Sequence, residues 1–211
     1  MIPPTRSRTM QTDWRELRER LRQDRERLMA VRAQRADLHR CWTLLDPSYQ
    51  AVALHRWSRF LFLRGHRWIA RLLWHMNLVV TGADIGPRTE IGGGLYLPNP
   101  VGIVLSGRLG NGCTACAQSG CGGVFAEDPR DVGGGPGLPS IGNNVVLDCG
   151  SLVLGTLVIG DGAVVGPRAV VDRDVPAGMY VAAIEPRRFP RETARPTTVE
   201  SPEAPPGGHH G

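Results

Sequence analysis

The chain has 211 residues, 41% of them hydrophobic, and a formal net charge of +5. That length suits one domain, or one domain with a helical appendage, and the longest apolar runs are too short to span a bilayer. All basic residues are Arg, and they crowd into the first third of the chain among alternating Glu and Asp. This is the pattern of a solvated helix face, and no aromatic-interleaved basic motif or nucleic-acid module accompanies it.

Residues 1–12 read as disordered. The opening MIPPTRSRTMQTD has no secretory apolar core, so the five Cys are expected as free thiols in a reducing cytoplasm. An α-helical N-terminal region is predicted over 13–80. Thr12 or Asp13 caps a helix that starts at Trp14, with Glu16 in its first turn. Leu17, Leu21, Leu28, Val31 and Leu38 mark one narrow apolar face, fit to pack on another helix. Leu45-Asp46-Pro47-Ser48 is a turn that restarts the chain. The Trp-, Phe- and Leu-rich stretch from about 48 to 78 is a more buried helical segment, which Gly65 divides in two.

A six-residue period then takes over, from 83 to 188. An apolar residue returns at Ile85, Ile91, Leu97, Ile103, Leu109, Ala115 and Cys121, and again at Ile141, Leu147, Val153, Ile159, Val165 and Val171. Small residues follow many of these, as in Ile91-Gly92, Ile141-Gly142 and Ile159-Gly160. A second small or apolar position lies four residues on, at Thr89, Leu95, Val101, Cys113, Val145, Ser151, Leu157, Ala163 and Ala169. Such a period predicts a parallel β-helix, in which each step is one flat side of a coil and both marked positions point inward. The count breaks once. The Gly- and Pro-rich segment around EDPRDVGGGPGLPS is read as a loop extruded at 127–140, and 190–211 as a disordered tail.

Cys113, Cys116 and Cys121 form C-x2-C-x4-C, but Cys113 and Cys121 occupy inward repeat positions and no fourth ligand is at hand, so no metal is expected. Cys149 follows a marker by two residues and faces out. His55, His66 and His75 lie on the helical part, His75 being the one that precedes the coil most closely. No His occurs between His75 and His209. Zinc-bearing β-helices of the γ-carbonic-anhydrase kind, which hold their metal on coil histidines, are thereby excluded.

These features together resemble the serine acetyltransferase family: a helical start, the Asp46-Pro47 turn, Asp84-Ile85-x-Pro87 opening the hexapeptides, Gly94-Leu95-Tyr96, Gly102-Ile103-Val104, Gly122-Gly123 before the loop, Ile141-Gly142-Asn143-Asn144-Val145, and Val175-Pro176-Ala177-Gly178. The matches run in the same order over about 45–188. The resemblance implies a left-handed parallel β-helix, a homotrimer or a pair of trimers with active sites between subunits, and acetyl-CoA or another acyl-CoA lying along the coil edge. It also implies site residues. Asp84 takes the place of the Asp that orients the family's His base, and Asp46 that of the substrate-binding Asp. Gly122 and Gly123 let the cofactor's pantetheine arm approach the backbone.

The family's chemistry needs a His to take the proton of the attacking hydroxyl. Where the family has Asp-His after Gly-Leu-Tyr-Leu, this chain has Pro98-Asn99. Where the second His stands in Arg-His-Pro, it has Gly137-Leu138-Pro139. Asn99 can hydrogen-bond substrate but cannot accept a proton near neutral pH. The tail ends Gly-His-His-Gly, without the terminal Ile that docks family members to cysteine synthase. Two functions follow. One is an acyltransferase acting on a small hydroxyl or amine acceptor with the base replaced, using Asp84 and Asn99 as catalytic groups. The other is a catalytically inactive trimeric scaffold or regulatory homologue that still binds CoA.

Overall fold

The computed structural model describes residues 14–34, 40–124 and 130–183. The expected disorder at 1–12 and 190–211, Leu38 and the start of the 127–140 loop lie outside these. Helix α1 runs Trp14–Gln34, α2 Pro47–Leu63 and α3 Arg67–Thr81. The second begins because the Asp46 carboxylate accepts the Ser48 N–H at 2.8 Å and Pro47 supplies a preset first residue. Gly65, at φ +88°, separates it from α3, and Gly82, at φ +77°, ends α3 in a left-handed cap. Helices α2 and α3 approach closely through small residues. Ala51 and Ala70 are fully buried, Ser58 Oγ donates to Ala70 O at 2.7 Å, and Asn77 Nδ2 donates to Ala51 O at 2.9 Å.

From Asp84 onward the chain winds into a left-handed parallel β-helix of three flat faces. The first stacks Asp84–Ile85, Val104–Leu105, Gly120–Gly122, Leu152–Leu154 and Val170–Val171. The second stacks Glu90–Ile91, Arg108–Leu109, Ser140–Ile141 and Val158–Ile159. The third stacks Thr114–Ala115, Val146–Leu147, Val164–Val165 and Tyr180–Val181. The inward residue of each pair forms a column, and each buried Ile, Leu or Val contributes about 1.5–3 kcal/mol. The Gly after the second face is dictated by coil spacing. A Cβ at Gly92, Gly110, Gly142 or Gly160 would lie within 2.6 Å of the next coil. Asn111, Asn143 and Asp161 then bridge coils there, with Asn111 N donating to Asn143 Oδ1 at 2.8 Å and Asn143 N to Asp161 Oδ1 at 2.7 Å.

Outside the extruded loop the strict six-residue count fails at two places. The later one follows Val171, where Val175 pairs with Ile159 and Val181 with Val165, each two residues early for the count. At the earlier one Leu105, not Ile103, is the register partner of Ile85 and Cys121. Extra residues bulge at Pro98–Gly102, and Val101, expected inside, is 57% exposed. Ile103 stays buried behind the bulge.

One buried ion pair ties the helices to the first coil. Arg56 Nε donates to Asp24 Oδ2 at 2.9 Å and Nη2 to Oδ1 at 3.1 Å, while Nη1 and Nη2 reach the Ile91 and Gly92 carbonyls. Asp24 also accepts Leu95 N at 2.9 Å.

His55 is completely buried beside this pair, and neither ring nitrogen has a hydrogen-bond partner. Burial first, then the Arg56, Arg59 and Arg20 charges, hold its pKa well below the usual value, against a weak opposing pull from the Ile85 backbone. The unfolded chain takes up a proton at this imidazole below about pH 6.5, where the folded one does not. Stability is therefore full above that pH and falls below it, by up to about 1.4 kcal/mol per pH unit. Urea unfolding between pH 7 and 5.5 is expected to show this slope, and His55→Leu to flatten it; an unchanged slope in the variant would assign the loss to other groups. Among the described residues, no helix is long and apolar enough to cross a membrane.

Candidate active site

A cleft of about 550 Å³ opens where α3, the start of the β-helix and the returning loop meet. Asp84 lies in it, with Arg67, Arg71 and Trp74 of α3, Arg88 of the first coil and Leu138 of the loop. Trp74 Nε1 donates to Asp84 Oδ1 at 2.7 Å, which fixes the carboxylate and leaves Oδ2 for a ligand. The three guanidinium groups give the cleft a cationic wall. Leu138 is brought back over it by a turn in which Gly137 N donates to Arg130 O at 2.9 Å, while Asp131 Oδ1 accepts from Gly133 N and Gly135 N. Asp84 and Leu138, far apart in sequence, thus line one cleft.

The other expected residues lie elsewhere. Asn99 is exposed on the bulge, and its Oδ1 accepts Val101 N at 3.1 Å. Among the described residues no hydrogen bond joins it to Asp84. Asp46 is 5% exposed, its carboxylate engaged by Ser48 N and by an ion pair with Arg32. Gly122 sits on the first face, where an added Cβ would make only an ordinary contact with Ser106 Cβ at 3.8 Å. At Gly123 an added Cβ would meet the Gly137 carbonyl oxygen at 2.9 Å, so the returning loop itself requires that glycine.

His75 is exposed on α3 and its Nδ1 is 2.7 Å from Arg71 O. Cys113 and Cys121 point inward, as their repeat positions predict, and donate to the Gly142 and Ser106 carbonyls. Burial pushes the Cys121 thiol up to about 12 and raises that of Cys113, so neither is a thiolate at neutral pH.

No protein-family model matches the chain. Curated relatives do. The serine acetyltransferase of Helicobacter pylori strain 26695 is 32% identical over 137 residues, which are 64% of this chain and 77% of that protein. The chain belongs to the serine acetyltransferase family. The serine acetyltransferase of Synechococcus elongatus is 30% identical over 164 residues, 77% of this chain and 65% of that relative's length. The chain therefore spans less than two thirds of that enzyme. Soybean serine acetyltransferase complexed with serine superimposes with a TM-score of 0.68 at 28% identity, covering 78% of this chain and 65% of the other.

Within a serine acetyltransferase framework, Trp74, Arg67 and Arg71 are the residues that sequence reasoning missed. They sit on a helix read only for its apolar content. The one available signal was that Arg67, Arg71 and Trp74 recur at helical spacing, which puts them on one face.

Proposed function

We propose that this chain is a cytoplasmic acyl-CoA-dependent acyltransferase that transfers an acyl group to a small hydroxyl or amine acceptor, with the family's His base replaced. The observation that carries the reading is the formed cleft holding Asp84 against Trp74 under a cationic wall. Guanidinium groups suit a donor rich in phosphate. Gly122, where no neighbour in the chain forbids a side chain, leaves room for the pantetheine arm beside the Gly123 turn. Asn99 keeps its Nδ2 to orient an acceptor or polarise a carbonyl, and Asp46 serves the acceptor's amine by exchanging Arg32 for it. An amine acceptor places the smallest demand on a base, because an unprotonated amine attacks a thioester once it is oriented.

The assembly that this reading takes is a homotrimer, alone or paired. Outward positions on the first face include Val104, Leu152 and Val170, and on the third Val146, Val164 and Tyr180. The second face presents Glu90, Arg108 and Ser140, with Val158 the apolar exception. Two apolar faces and one polar face are what a coil packed between two copies of itself requires. Light scattering is expected to give three or six times the chain mass of 22.9 kDa; a monomer at micromolar concentration would refute it.

The double replacement of imidazole by Asn99 and Leu138 favours a second reading, an inactive CoA-binding scaffold. A panel of hydroxyl and amine acceptors with acetyl-CoA separates the two. Turnover that drops about tenfold to a hundredfold in Asp84→Ala supports the enzyme. CoA binding without turnover of any acceptor supports the scaffold.

A further inference from the structure

The third face ends in a corner that the hexapeptide count did not reveal. The parallel pairing Tyr96↔Thr114, Thr114↔Val146 and Ala115↔Leu147 sets the register of the residues that follow. Cys116 and Asp148 stack in one column, and Ala117 and Cys149 in the next, while the coil before them departs into its bulge and meets Gln118 N at Val101 O. Cys116 N donates to Leu147 O at 2.9 Å, and Gly150 N to Ala117 O at 3.0 Å, so both coils are pinned on either side of the side chains concerned. The sulfur atoms of Cys116 and Cys149 and a carboxylate oxygen of Asp148 all lie within 4.8 Å of one another. The Asp148 carboxylate is itself oriented, because its Oδ1 accepts Cys149 N at 2.7 Å.

We propose that Cys116, Asp148 and Cys149 form a binding site for a soft divalent cation of the zinc class, on this coil corner. Two thiolates and one carboxylate are a ligand set zinc accepts, and three protein ligands leave the fourth tetrahedral position to water or a substrate atom. Ligand atoms in a tetrahedral zinc site stand about 3.3–3.8 Å apart, from metal–ligand bonds of about 2.0–2.3 Å. Side-chain rotation of exposed Cys149 and half-buried Cys116 closes the remaining gap while the backbone stays in its ladder. On binding, each thiol releases its proton to solvent as its sulfur bonds the metal. The corner is rigid, which favours a defined geometry. The sequence pattern grouped Cys116 with Cys113 and Cys121. Folding turns those two into the core and brings Cys149 alongside instead, across the extruded loop.

The test uses the full chain, reduced with a phosphine that carries no thiol, and titrated with cobalt(II). His209 and His210 near the end of the chain are competing ligands, so the readout is the thiolate-to-cobalt charge-transfer band, which imidazole does not produce. The expected result is one band-forming cobalt per chain, displaced by zinc, with affinity reduced about tenfold or more in Cys116→Ser and in Cys149→Ser. Cys149 is exposed, so its variant is expected to fold, which circular dichroism checks. Absence of the band from reduced wild type, or an equal band in folded Cys149→Ser, would overturn the site.

Discussion

Replacing Arg56 by Met is expected to cost about 3–5 kcal/mol of folding stability, the range for removing one partner of a buried ion pair. Asp24 is 2% exposed and Arg56 3%, so the carboxylate left behind has no access to water. The loss reaches beyond the pair. Arg56 also satisfies the Ile91 and Gly92 carbonyls, where the first coil turns its second corner. Replacing both partners by apolar residues often restores stability to a buried pair. Here Asp24→Leu with Arg56→Met is expected to remain destabilised, because the Gly92 carbonyl and Leu95 N lose their partners and the Ile91 carbonyl keeps only Arg20. Denaturant unfolding of the two variants checks this. A loss under about 1 kcal/mol for Arg56→Met, or full recovery in the double variant, would show that the ion pair is not what docks the helices.

The second large effect concerns chemistry. Pro98→Asp, Asn99→His and Leu138→His together are expected to raise serine acetylation about a hundredfold or more, the lower end of what a positioned general base contributes. The geometry favours tolerance of all three. Pro98 and Asn99 are exposed on the bulge, and Leu138 lines the cleft that holds Asp84. The cost is the turn bond from Val101 N to Asn99 Oδ1, a loss of about 1 kcal/mol on an exposed loop. The initial rate with serine and acetyl-CoA decides it, and Leu138→His alone is expected to give far less. A folded triple variant with the wild-type rate would mean that this site is not the family's acyl-transfer site.

The β-helix was legible because each coil repeats one demand, a small apolar residue that fits the inward column. That demand is local in sequence. The Pro98–Gly102 bulge was not legible, because Ile103 is apolar and buried even though Leu105 carries the register. In α1 the apolar stripe skips from Leu21 to Leu28. Asp24 fills that gap on the same face, and its partner Arg56 sits in a stretch otherwise read as apolar. A charged residue on a buried face announces a partner but does not name it. The site was partly legible in the same sense. Register singled out Asp84, Asn99 and Leu138, but Asn99 lies on the bulge away from the cleft, that Asp84 and Leu138 share a cleft depends on where the loop returns, and the Trp74 contact depends on how α3 docks. Neither is written in any six-residue unit.

On the proposed function, the cleft still binds an acyl donor although both imidazoles are replaced. Isothermal titration of the wild-type protein with acetyl-CoA and with CoA tests it most directly. Micromolar binding of both, weakened in a variant carrying Arg67→Ala and Arg71→Ala, is the predicted result. No heat of binding at millimolar ligand would contradict the claim.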